Sequence, residues 1–155
     1  MRLWPLLLGI TSLAVALNAQ QSAVPAKGSS TCPVTPPNQN AGKPARGNHG
    51  NEFLVTYLWP HGQVIFKPRG PGFVLEDRAL EMKFGWWRLV KGQLAIEGRR
   101  LDGAAPPLRA DIPPGYGDIG FQATGLIFPT AGCWEVTGRV GNVKLTFVTQ
   151  VVKDR

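Results

Sequence analysis

From Cys133 to Val152 the chain alternates apolar and polar residues on both sides of a Gly141-Asn142 pair, and few folds satisfy that pattern. Side chains along a strand point alternately to opposite faces, so a period of two marks a half-buried strand. A Gly-Asn pair suits a two-residue turn with positive φ at its first position. The register through that turn puts Trp134, Val136, Val140, Leu145 and Phe147 on one face. Glu135, Thr137, Arg139, Lys144 and Thr146 take the other. The prediction is an antiparallel pair with one dry face and one wet face. Cys133 begins its first strand on the wet side.

Two more hairpins are predicted upstream. Phe53–Trp59 and Gln63–Lys67 flank Pro60-His61-Gly62, which suits a type I turn with a bulge. Leu54, Leu58, Val64 and Phe66 then point inward, with Tyr57 and Trp59 opposite. Trp86–Val90 and Gln93–Glu97 flank Lys91-Gly92. A two-residue turn there buries Trp87, Leu89, Leu94 and Ile96 and leaves Trp86, Arg88, Ala95 and Glu97 outside; a slip of one residue reverses each set. Further strands are expected at Phe73–Leu75, Leu80–Phe84, Leu108–Ile112 and Phe121–Phe128, and no segment sustains a helical period.

Seven or eight short strands, turn signals about every ten residues and a Gly-Cys-Trp strand leading into a final hairpin resemble an immunoglobulin-like β-sandwich. The chain thus resembles a secreted bacterial domain of that architecture over roughly Asn51 to Lys153. It departs from the antibody pattern, with no Cys-Trp-Cys spacing. The resemblance implies an all-β, single antiparallel sandwich and brings neither catalytic residues nor a specific ligand.

The N-terminus points to export. Arg2 is followed by an apolar run over Leu3–Leu13, and Ala14-Val15-Ala16 offers a small-x-small cleavage site, with Ala19 as a second. The run is shorter than the about 20 apolar residues a bilayer crossing needs. The expected division is a signal peptide over 1–19, a flexible Pro/Gly/Asn-rich segment over 20–50 and the sandwich over 51–155. The expected location is extracytoplasmic, secreted or periplasmic, with no membrane span after signal removal. Cys32 and Cys133 are the only two cysteines, and in an oxidising compartment they are expected to form a disulfide. That bond would hold Cys32-Pro33-Val34 along the domain edge. Lipidation of Cys32 is rejected, because Gly28-Ser29-Ser30-Thr31 lacks the leucine-small-small pattern.

Candidate chemistry is sparse. No serine follows Ser30, and His49 and His61 belong to no metal-ligand spacing. Asp102, Asp111 and Asp118 fall in one Gly/Pro-rich segment from Leu101 to Ile119. Two of them placed together would suit glycoside cleavage, but aspartates beside glycine and proline commonly cap turns. No catalytic residue, metal or cofactor is therefore expected. The net charge of +7 favours anionic neighbours over neutral ones, though export removes nucleic acid as a partner. The best functional clue is aromatic. Tyr57, Trp59 and Trp86 are predicted outward, Arg88 beside Trp86 offers a charge, and Tyr116 sits at a Gly-Tyr-Gly loop tip. Flat exposed rings serve sugars and partner proteins. The expected role is a non-catalytic exported module binding an envelope polysaccharide or an exported protein. The alternatives are a small hydrolase using the loop carboxylates and an accessory domain that assembles by strand addition.

Overall fold

A computed structural model describes residues 31–39, 47–67 and 69–154. The expected signal peptide over 1–19, and parts 20–30 and 40–46 of the expected flexible segment, lie outside the described residues. Among the described residues the chain is almost entirely strand: β1 (His49–Gly50), β2 (Leu54–Thr56), β3 (Gln63–Phe66), β4 (Phe73–Val74), β5 (Leu80–Arg88), β6 (Leu94–Arg100), β7 (Arg109–Asp111), β8 (Gly120–Phe128), β9 (Gly132–Val140) and β10 (Val143–Lys153). Only a 3-10 turn at Pro60–Gly62 interrupts them. No described helix is long and apolar enough to cross a membrane.

The strands form two sheets. The first has the order β1-β2-β5-β8-β7, with β4 also pairing to β5, and the second has the order β3-β10-β9-β6. The final hairpin holds as predicted: β9 and β10 pair antiparallel around Gly141, whose φ is +56°. Its Trp134, Val136, Val140, Leu145 and Phe147 all enter the core. Alternation alone was enough here because both strands face the same core. Cys133, at the start of the predicted wet face, is buried. The disulfide carries the N-terminal segment over it.

The two upstream hairpins are not hairpins. Each pair of strands is split between the sheets: β2 pairs with β5 while β3 pairs with β10. Likewise β5 pairs with β2 and β8, while β6 pairs with β9. Pro60–Gly62 and residues 89–93 are therefore crossings from one layer to the other. Alternation with a short turn fits a crossing as well as a hairpin, since both bring two apolar faces together. The first crossing still buries Leu54, Leu58, Val64 and Phe66 as predicted. It also corrects the all-antiparallel expectation, because β3 runs parallel to β10.

The second crossing carries the larger correction. β5 continues through Gly85, so the inward phase of Leu80, Met82 and Phe84 passes on to Trp86 and Arg88. Trp86 is fully buried and Trp87 turns outward, the reverse of the prediction. Between the sheets Trp86 meets Phe84 and Phe147, with ring centroids 5.4 and 6.1 Å away. A Cβ on Gly138 of β9 would lie 2.5 Å from the Trp86 ring, so only glycine fits opposite it.

An N-terminal strap closes one side. Cys32 is bonded to Cys133, 101 residues on. Thr35 N donates to Val148 O (2.9 Å), and Val148 N donates to Thr35 Oγ1 (2.8 Å). The strap so occupies the edge of β10 just before β3 takes over at Gln150. Val34 fills the space left by the missing side chain of Gly62. Asn38 then bonds both the N–H and the carbonyl of Gly50. Strand β1 begins at His49, two residues before the predicted domain start at Asn51.

His49 is buried in this strap, with Nδ1 unpartnered among the described residues. Burial pulls its pKa below the ordinary 6.5, partly opposed by a hydrogen bond to the Pro36 carbonyl. A lowered histidine pKa means the fold prefers the neutral ring. Its contribution is complete above about pH 6.5 and declines as the pH falls below that. Urea unfolding at pH 7.5 and pH 5 should show a loss of stability that His49→Gln reduces. Replacing both cysteines by serine should cost about 2–4 kcal/mol by the same assay. Adding dithiothreitol should shift the parent protein to the variant's midpoint and leave the variant unmoved.

Candidate binding face

Phase along β5 decides which groups reach solvent on the first sheet. Trp87 faces out, directly opposite Phe121 of β8 in the register. Their ring centroids are 5.0 Å apart, and Tyr116 adds a third ring 6.2 Å from Phe121. Phe121 lies over Gly85, where a Cβ would come within 2.8 Å of its ring. The bare backbone at Gly85 thus gives the ring a flat bed. Phe121 keeps 45% of its surface exposed, and Tyr116 and Ile119 are exposed beside it. The result is an aromatic strip, two rings on paired strands and one on the adjoining loop, at one end of the sheet.

Tyr116 is held in that strip by a buried cation. Arg88 is 1% exposed. Its Nη1 donates to Gly92 O (2.7 Å), and its Nη2 donates to Tyr116 O (3.0 Å) and Gly117 O (2.8 Å). Three carbonyl dipoles take the place of a carboxylate, and Arg88 has no ion pair among the described residues. One side chain so pins both the 89–93 crossing and the 112–119 loop. Beside it is a cleft of about 380 Å³ lined by Arg88, Gln93, Ile112, Tyr116, Asp118 and Gln122. The Nε of Arg88 and the Oε1 of Gln122 are buried without partners among the described residues.

The predicted aromatic site is therefore only partly assembled. Tyr116 is at the strip. Tyr57 is 61% exposed at the end of β2, with no ring stacked on it among the described residues. Trp86 and Arg88 are buried and leave the surface site. Trp59 is half-buried, its ring 4.8 Å from Phe84 and 6.4 Å from Phe147. It turns inward because the chain leaves β2 at Thr56 and crosses between the layers, which breaks the alternation. Trp87, Phe121 and Ile119 were missed. Extending the phase of Leu80-Met82-Phe84 through Gly85 would have found Trp87.

The three loop aspartates do not converge. Asp102 accepts from Arg100 Nε at 2.6 Å beside Gly132, and this hydrogen bond lowers its pKa. Asp111 lies on β7 opposite Gly125, and Asp118 lies on the rim of the cleft. Among the described residues no group of three or more His, Cys, Asp or Glu could hold a metal ion. No protein-family model, curated protein or solved structure matches this chain.

Truncating Arg88 should disturb both loops. Arg88→Leu removes three hydrogen bonds to loop carbonyls and should cost roughly 3 kcal/mol in urea unfolding. Arg88→Lys keeps a charge but cannot span all three acceptors, so it should cost about half as much. Hydrogen exchange should show the loss of protection concentrated in residues 89–93 and 112–119.

Proposed function

We propose that this chain is an exported, non-catalytic binding module that docks an envelope polysaccharide on the Trp87–Phe121–Tyr116 strip. The observation that carries the reading is the strip itself: three linked rings, two of them solvent-facing, with Trp87 and Phe121 fixed on paired strands and Tyr116 on the adjoining loop, their planes inclined at 53° and 73°. Sugar rings present an apolar face that stacks on such a platform. Rigid aromatic side chains lose little entropy on binding.

The finer architecture belongs to the same proposal. The order β2-β5-β8-β7 against β10-β9-β6 parallels the A-B-E-D and G-F-C sheets of an immunoglobulin-like sandwich, with β3 added parallel to β10. Export is supported by the leader-like run over Leu3–Leu13 and by the Cys32–Cys133 bond, which suits an oxidising compartment.

Tryptophan fluorescence reads the proposal directly, since Trp87 lies in the strip and Trp86 and Trp134 are buried. Titration with a panel of envelope glycans should give a saturable change with at least one of them. Phe121→Ala should weaken it about tenfold, the scale of one lost ring contact of about 1.4 kcal/mol. Tyr57→Ala, off the strip, should leave it intact. Silence across the panel, or binding that Phe121→Ala does not weaken, would sink the polysaccharide reading and send the search to a protein partner.

A further inference from the structure

At the opposite end of β5 is a second surface of different chemistry. Strand β4 pairs with Leu80 and Glu81, six residues or roughly 20 Å along the strand from Trp87. Both its residues are apolar and point to water: Phe73 is 53% exposed and Val74 is 54% exposed. Exposed Pro71 precedes them. They border a groove of about 310 Å³ whose apolar wall continues through Phe66 and Gly72. Gly72 is required there, because a Cβ would lie 2.5 Å from the Phe66 ring.

The rim of the groove is cationic. Lys67, Arg69 and Lys153 line it against one carboxylate, Asp154. Lys67 and Arg69 belong to a turn closed by Gly70 N donating to Lys67 O at 2.9 Å. Arg69 has φ +63°, a left-handed conformation that a non-glycine residue adopts only at some cost. Bulky apolar side chains at a loop tip, with exposed bases along the groove side and Glu81 opposite Phe73 on the other, match the layered chemistry of a lipid interface. There an anionic headgroup plane overlies an apolar boundary. A protein ligand would need a larger complementary surface, and a sugar ring could stack on Phe73 but would leave the aliphatic Val74 uncovered.

We propose that the β4 tip docks on an anionic phospholipid surface. Phe73 and Val74 enter the headgroup boundary, and Lys67, Arg69 and Lys153 neutralise lipid phosphates around them. The face is separate from the aromatic strip, so the protein can hold a membrane and a polymer at once.

The test is co-sedimentation of the exported, disulfide-bonded protein with vesicles of phosphatidylcholine alone and with one-third phosphatidylglycerol. The anionic vesicles should bind at least tenfold more strongly. Phe73→Ser/Val74→Ser should remove most of that binding while leaving the melting temperature unchanged, as exposed positions allow. Lys67→Gln/Arg69→Gln should do the same. A matched charge loss elsewhere, Lys91→Gln/Lys144→Gln, should leave at least half of it. Three results would each overturn the proposal: equal binding to both vesicle types, full binding by the Phe73/Val74 variant, or equal losses from the two lysine/arginine variants. The last would mean a diffuse basic surface with no localised site.

Discussion

Trp86 spans the gap between the two sheets and rests against the bare backbone of Gly138, and the remaining geometry is set from that contact. A fully buried tryptophan removes a large apolar area from water. Its place inside fixes the phase of β5, and with it the two residues that follow. Trp87 must then face solvent and Arg88 must turn in. Trp87 becomes one ring of the outer strip, and Arg88 becomes the pin that brings Tyr116 to the same strip. A single packing choice in the core thus produces both the surface and the brace that holds it.

Burial of Arg88 without a carboxylate is the costliest feature of this end of the molecule. Desolvating a guanidinium is expensive, and three carbonyl bonds return only part of that cost. They do give geometric control, since the planar fork reaches two chain segments at fixed directions. The arginines on the outer surface behave differently. Arg99, Arg109 and Arg139 each meet a carboxylate in water, where such pairs contribute little to stability. The net charge of +7 is therefore a poor guide to where this surface is basic. Much of its arginine is matched or buried.

Sequence pattern recovered the all-β class, the disulfide and the final hairpin, because each rests on local alternation or on the presence of only two cysteines. It recovered the inward sets of Leu54, Leu58, Val64 and Phe66 even though the strands that carry them lie in different sheets. It failed where partner identity mattered. Lys91-Gly92 reads as a hairpin turn, but 89–93 crosses between layers, and a turn's residues do not record which sheet comes next. The error then propagated by one residue and exchanged Trp86 with Trp87. Gly85 lies between the expected strands Leu80–Phe84 and Trp86–Val90, yet it is a seat for Phe121 within one continuous strand, a relation visible only once β8 lies beside β5. The β4 strand itself was legible at Phe73–Leu75, but nothing in the pattern marked both of its residues as exposed.

The last strand has a consequence for how the chain reaches its fold. β10 pairs with β9 on one side, and on the other it meets both β3 and the Thr35 strap. A chain emerging from its N-terminus would have no place for β3 or the strap until β10 had followed. Cys32 would meanwhile wait as a thiol for a partner about 100 residues behind it. Such topology concentrates ordering late, with long loops to close before non-local contacts reward them. The Cys32–Cys133 bond can close only once both cysteines have emerged, and it needs an oxidant at that moment.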